Sequence, residues 1–252
     1  MTRRCFAVLL AVTVVSVTRG ENLFSDSFDS PHRMKDGQMV AGVFGEVWRA
    51  WPGRDQGVLQ ASHTHTLSGT NSALAPSHDP VAFSAYADFG ATDRSLRAEV
   101  YVCETMEFDG SDPAKPVTCM LALFGDAASP DALTDYLELG VVPDASGRSQ
   151  LYKIRTRYND LVKHRVINTD VHRQRDQWAK LAIEVDSLEN GGEARFYIND
   201  EKIGTSYRAG AKAENRLKPV KLRWVRLGNS TKSYENFWYD DVSVRSIPPR
   251  KP

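Results

Sequence analysis

Glu184, Asp186 and Glu189 are the residues of this chain whose type and spacing come nearest to a catalytic set. Retaining cleavage of a glycosidic bond needs two carboxyl groups about 5 to 5.5 Å apart, one as nucleophile and one as proton donor. On an extended segment Glu184 and Asp186 project from one face, because side chains two apart share a side. Glu189 falls in the turn formers from Ser187 to Gly192, which would carry it off that face. The competing reading is a solvated strand face that does no chemistry.

A second group is cationic. Arg148, Lys153, Arg155, Arg157, Lys163, Arg165, Arg173 and Arg175 crowd one stretch, against Asp160, Asp170 and Asp176. Lys153, Arg155 and Arg157 alternate, so on a strand they line one side, where guanidinium groups can grip carboxylate or sulfate. That suits an anionic polysaccharide; the alternative is arginines paired with neighbouring Asp and Glu. Trp51 beside Pro52, Trp224 between Arg223 and Arg226, and Tyr158 are the aromatic candidates for packing on a sugar ring. The expected glycan contacts are therefore Trp51, Arg155, Arg157, Tyr158 and Trp224, with ordinary packing as the competitor. His63 and His65 share a strand face and His78 follows, but no Cys or acidic residue completes a zinc spacing. No serine-hydrolase elbow, phosphate-binding glycine loop or nucleotide fingerprint occurs. Asn229-Ser-Thr231 fits an N-glycosylation acceptor.

The elements that must carry these residues are strands. A chain of 252 residues, 41% hydrophobic and 25% charged, can bury a sizeable core. Its 32 basic and 32 acidic residues balance to +0, which argues against a nucleic-acid partner. Basic Met1 to Arg4, apolar Cys5 to Val17 and small residues up to Gly20 predict a signal peptide over 1–20 and a secreted protein, extracellular or periplasmic. That apolar run is too short to span a bilayer, and no later stretch could, so no membrane span is expected in the mature chain. Residues 21–247 are expected to form one domain, followed by an unstructured proline-rich tail, 248–252.

Period-two alternation predicts strands at 47–50, 57–61, 82–89, 96–103, 119–124, 136–142, 150–158, 164–171, 179–186, 194–199, 203–207, 220–227 and 237–247. About a dozen strands so spaced indicate an all-β, antiparallel two-sheet sandwich. A single helical turn is expected near Ser129 to Leu133. Cys103 and Cys119 flank a loop rich in turn formers, so a hairpin would bring them together as a disulfide worth about 3 kcal/mol; two free thiols are the alternative.

Gln177 to Asp186, the glycine turn and Ala194 to Gly204 resemble the hairpin of laminin-G-like and other concanavalin A-like jelly rolls, and Phe237 to Val244 is similar to their closing strand. Asn22 to Asp29, with Val47-Trp48, resembles the first strands of bacterial secreted members. The resemblance implies a jelly roll, a carbohydrate-binding role, and core positions for Trp48 and Trp178. It also implies a candidate structural calcium site between Asp240 of the closing strand and Asp26 or Asp29; backbone N–H donors or an arginine are the alternative for Asp240. No cofactor is otherwise required. On the same fold Glu184-x-Asp186-x-x-Glu189 resembles the E-x-D-x-x-E signature of family 16 glycoside hydrolases, with Ser187 where an apolar residue is usual. Arg97 to Tyr101 resembles the R-x-E-L-R segment of alginate lyases, with Tyr replacing the last Arg. A hydrolase or lyase is thus the enzyme alternative, and a protein-interaction module the third.

Overall fold

Strict alternation in Ala179–Val185 puts Leu181, Ile183 and Val185 on one side, and in the computed structural model all three are buried in the core. The same rule builds fifteen strands among the described residues, which are 20–29, 47–50, 59–76, 83–104, 118–126, 136–143, 150–157, 165–186, 193–206, 221–228 and 236–249. They are β1 (Asn22–Asp26), β2 (Trp48–Ala50), β3 (Gln60–Ser62), β4 (Ser72–Ala75), β5 (Ser84–Thr92), β6 (Leu96–Glu104), β7 (Thr118–Gly125) and β8 (Tyr136–Pro143). The remainder are β9 (Gln150–Arg157), β10 (Arg165–His172), β11 (Ala179–Val185), β12 (Ala194–Ile198), β13 (Glu201–Thr205), β14 (Leu222–Gly228) and β15 (Phe237–Ser246).

All pairings are antiparallel and fall into two sheets. The eight-stranded sheet runs β13-β12-β11-β6-β15-β4-β3, with β1 also paired to β15; the seven-stranded sheet runs β10-β9-β8-β7-β14-β5-β2. Val100, Ile183, Phe196 and Val244 from the first pack in one apolar cluster with Leu121, Leu139, Ile154 and Val225 from the second. This is the expected sandwich, each sheet burying one face and turning the other outward.

Three local expectations change. β4, of small residues, carries too little apolar signal to be read from sequence; its pairing with β3 and β15 defines it. β13 begins at Glu201 rather than Ile203, because Asn199 and Asp200 both take positive φ, 50° and 66°, and close a two-residue turn that restarts the ladder at once. The predicted Cys103–Cys119 disulfide does not form: both cysteines are free and buried. The two strands do not make a hairpin, since β6 lies in the eight-stranded sheet and β7 in the seven-stranded one. Each cysteine also faces away from the core between the sheets, Cys103 in register with Trp238 and Cys119 clustered with Tyr86, Ala122, Phe124 and Trp224.

Candidate functional site

Side chains that alternate with the core residues of the seven-stranded sheet make its outward face. The register aligns one cross-strand row on it: Arg49 of β2, Tyr86 of β5, Arg226 of β14, Ala122 of β7, Glu138 of β8 and Arg155 of β9. Ala122 leaves only a methyl group between Arg226 and Glu138, so Arg226 reaches over β7 and donates from Nη2 to Glu138 Oε1 at 2.6 Å. Arg155 donates its Nε–H to the other oxygen, Oε2. Glu138 is 1% exposed. Burial alone would raise its pKa, but the Arg226 charge and the Arg155 bond outweigh that and hold the carboxyl below its ordinary range.

A parallel row carries Asp88, Trp224 and Phe124. A register shift between Leu222 and Trp224 lets Arg223 and Trp224 both leave the core side, so Arg223 grips Asp88 with Nε and Nη2 at 3.0 and 2.9 Å from Oδ2. Burial opposes ionisation of Asp88, yet its bond to Arg223 lowers the pKa overall. Trp224 is on the expected face but only 2% exposed. Tyr86 packs edge-on against it at 5.4 Å, and the guanidinium groups of Arg223 and Arg49 lie 5.0 and 5.9 Å from its ring. Its ring is therefore held by protein groups, and it is no bare stacking platform. Arg49 and Lys153 make no ion pair with any described residue.

Two of the carboxylates singled out from sequence, Glu184 and Asp186, belong to the eight-stranded sheet side of the molecule. Glu184 and Arg195 face outward from the eight-stranded sheet, opposite each other in register. Arg97 donates to Glu184 Oε1 at 2.9 Å, Tyr197 OH donates to Oε2 at 2.9 Å, and Arg195 approaches the same oxygen at 3.4 Å. Arg195 also holds Asp186 in a two-point clamp at 2.6 and 2.7 Å. Arg97, the residue of the lyase-like segment, is spent on Glu99, Glu184 and Asp200. Far from being solvated, this strand face is an ion-pair network.

The calcium candidates are held by donors. Asp240 Oδ2 accepts the backbone N–H groups of Leu67 and Ser68 at 2.9 and 3.1 Å, and Oδ1 accepts that of Asp241 at 2.8 Å. Asp29 Oδ1 accepts from Thr70 and Asn71, and Asp26 accepts Phe28 N–H and Trp48 Nε1–H. Asp240 thus meets the backbone N–H donors that are the alternative to calcium, and no three His, Cys, Asp or Glu among the described residues group as metal ligands. His63 bonds instead to Thr70 O, and His65 packs on Trp238.

Trp48 is fully buried in the core, as expected, but Trp178 is only half-buried, at the border of a cavity. Arg157 is opposite Tyr136 in the register of β9 and β8. Residues 1–19 of the expected signal, Trp51, His78, the helical turn 129–133, Tyr158, Glu189 and Asn229 to Thr231 lie outside the described residues. Arg49, Tyr86 and Glu138 escaped the sequence reading, and Arg226 entered it only as a neighbour of Trp224. The one available signal was Glu138, a lone carboxylate inside an apolar strand.

The fold is the concanavalin A-like jelly roll. No protein-family model and no curated protein matches the sequence. Among solved structures, the cellulose-induced protein Cip1 superposes with a TM-score of 0.56 at 12% identity, covering 90% of this chain and 100% of that one. An endo-1,3-beta-glucanase from Streptomyces sioyaensis gives 0.54 at 13% identity, covering 91% and 97%. An endo-beta-1,4-glucuronan lyase from the fungus Trichoderma reesei gives 0.51 at 11%, covering 84% and 94%. At such identities the likeness is one of fold.

Proposed function

We propose that this protein binds an extracellular glycan of anionic character on the outward face of the seven-stranded sheet. The observation that carries the reading is the state of charge there. Glu138 and Asp88 are each clamped by arginine, while Lys153 and Arg49, whose charge acts on Asp88 only from a distance, make no salt bridge among the described residues. Five strand spacings separate β2 from β9, roughly 24 Å; Tyr86, Arg226, Ala122 and Glu138 between them are buried, so an acidic chain would be held at the two ends of the face, by exposed Arg49 and half-exposed Lys153. The jelly-roll likeness to a glucuronan lyase and a glucanase supports a glycan-directed role. Secretion through residues 1–20 would bring the protein to such a ligand.

Binding is favoured over hydrolysis because neither Glu138 nor Asp88 can serve as the protonated partner of a carboxyl pair, both being held ionised by guanidinium groups. The test is calorimetric titration with glucuronan, alginate and pectate against a neutral β-glucan, over a range of salt. Polyuronate affinity should fall steeply with salt, and Arg49→Ala with Lys153→Ala should weaken it about tenfold or more. Equal affinity of the double variant, or no binding to any polyuronate at low salt, rejects the reading. A second reading, a polyuronate lyase, draws on Tyr86, a phenol set between Arg49 and Arg226 in one row. Unsaturated products formed by the native protein but lost in Tyr86→Phe would establish it.

A further inference from the structure

Beside the edge strands β10 and β13, one from each sheet, lies a cavity of about 200 Å3. Its apolar lining comes from Val171, Ala179, Ile198 and Ile203. Tyr152 lines it from β9; the residue is 2% exposed, and its hydroxyl has no hydrogen-bond partner among the described residues. Burial pushes this phenol up to about 12, so it remains a neutral donor and acceptor at any physiological pH. A hydroxylated occupant of the cavity would supply this phenol with a hydrogen-bond partner.

Further polar groups ring the mouth. The indole N–H of Trp178, the side-chain amides of Gln174 and Gln177 and the carboxylate of Glu201 have no partner among the described residues. Asn199 spends its Oδ1 on the Lys180 N–H at 2.8 Å and keeps its NH2 group to donate. The lining thus offers both donors and acceptors together with apolar side chains, which a pyranose can match with its hydroxyls and its C–H face. The nearby guanidinium of Arg173 is taken by Glu104 at 2.5 Å, and Glu201 would repel an anion. At about 30 Å3 per water, the space equals about seven waters or a single sugar ring with its hydroxyls.

We propose that this cavity is a separate site that takes one terminal pyranose ring of a neutral glycan, with Tyr152, Gln177 and Trp178 as its principal contacts. It stands independently of the anionic-glycan face, from which it differs in charge, size and position. The experiment is a titration of the whole protein with the methyl glycosides of glucose, galactose, mannose and fucose, followed by saturation-transfer and 1H–15N NMR. At least one glycoside should bind and shift the Trp178 indole resonance and the side-chain amides of Gln174 and Gln177. Tyr152→Phe, which keeps the ring and removes the hydroxyl, and Gln177→Ala should each weaken binding about tenfold. Arg49→Ala with Lys153→Ala should leave it unchanged, which separates failure here from failure of the sheet-face reading. Absence of any shift at Trp178 with all four glycosides, or an affinity indifferent to both Tyr152→Phe and Gln177→Ala, overturns the proposal.

Discussion

Between two guanidinium groups and out of water, the Glu138 carboxylate has no proton to give, and its role is to neutralise Arg226 and Arg155 across four strands. Its folded pKa lies below the ordinary 4.5, so the stability it contributes is complete above that value and is lost as pH falls through the lowered one. Glu138→Gln would remove the carboxylate shared by buried Arg226 and half-buried Arg155 and should cost about 3–5 kcal/mol in urea unfolding. Asp200 also pairs with Arg97, but its side chain is 59% exposed, so Asp200→Asn should cost under about 1 kcal/mol. The cysteines belong to the same scale. Burial pushes Cys119 up to about 12 and raises Cys103, so neither forms the reactive thiolate near neutrality. Native protein should take up no iodoacetamide at either position, and unfolded protein should be alkylated at both, as peptide mass mapping would show.

At the scale of elements, carboxylates act as clasps for segments that strand pairing does not hold. Asp240 ties the backbone at Leu67 and Ser68 to β15, and Asp29 ties Thr70 and Asn71, so one stretch is held at two points. Asp240 is fully buried; desolvation outweighs its three backbone hydrogen bonds and raises its pKa from 3.8 to about 6. For an acid shifted upward the folded state holds its proton longer than the unfolded chain, so the ionisation cost enters as pH rises from about 4 to about 6. Asp240→Asn carries no such cost. Relative to this variant, the native protein should therefore lose roughly 3 kcal/mol of stability between pH 4 and pH 7. Parallel thermal melts over that range check it, and a difference independent of pH would contradict the assignment. Gly228 illustrates a different constraint: at φ 79° it ends β14 where a Cβ would stand 2.2 Å from Phe83 O, so only glycine fits.

Across the whole molecule, the terminal strand is central rather than peripheral. β15 pairs with β6 on one side and with β4 and β1 on the other, and it sends Phe237, Tyr239, Val242 and Val244 into the core. Ending the chain at residue 236 should abolish cooperative unfolding measured by circular dichroism, whereas ending it at 249 should leave the melt unchanged. The sheet faces were legible from sequence, because alternation is a local property of the backbone: Leu181, Ile183 and Val185 had to share a side wherever β11 was placed. Which partner each outward side chain meets was not legible, because it depends on pairing between distant segments. Glu184 and Asp186 carried a catalytic spacing until Arg97 and Arg195 closed on them. Cys103 and Cys119 flanked an apparent hairpin until their strands parted into different sheets. Arg49, Arg226 and Glu138 became one row only once β2, β5, β14, β7 and β8 lay side by side. Amino-acid order alone determined an antiparallel sandwich and which side chains of each strand face its core, since period and hydrophobicity require it. Tertiary structure decided which charges are neutralised and which remain free for a ligand, since electrostatic pairing acts through space and not along the chain.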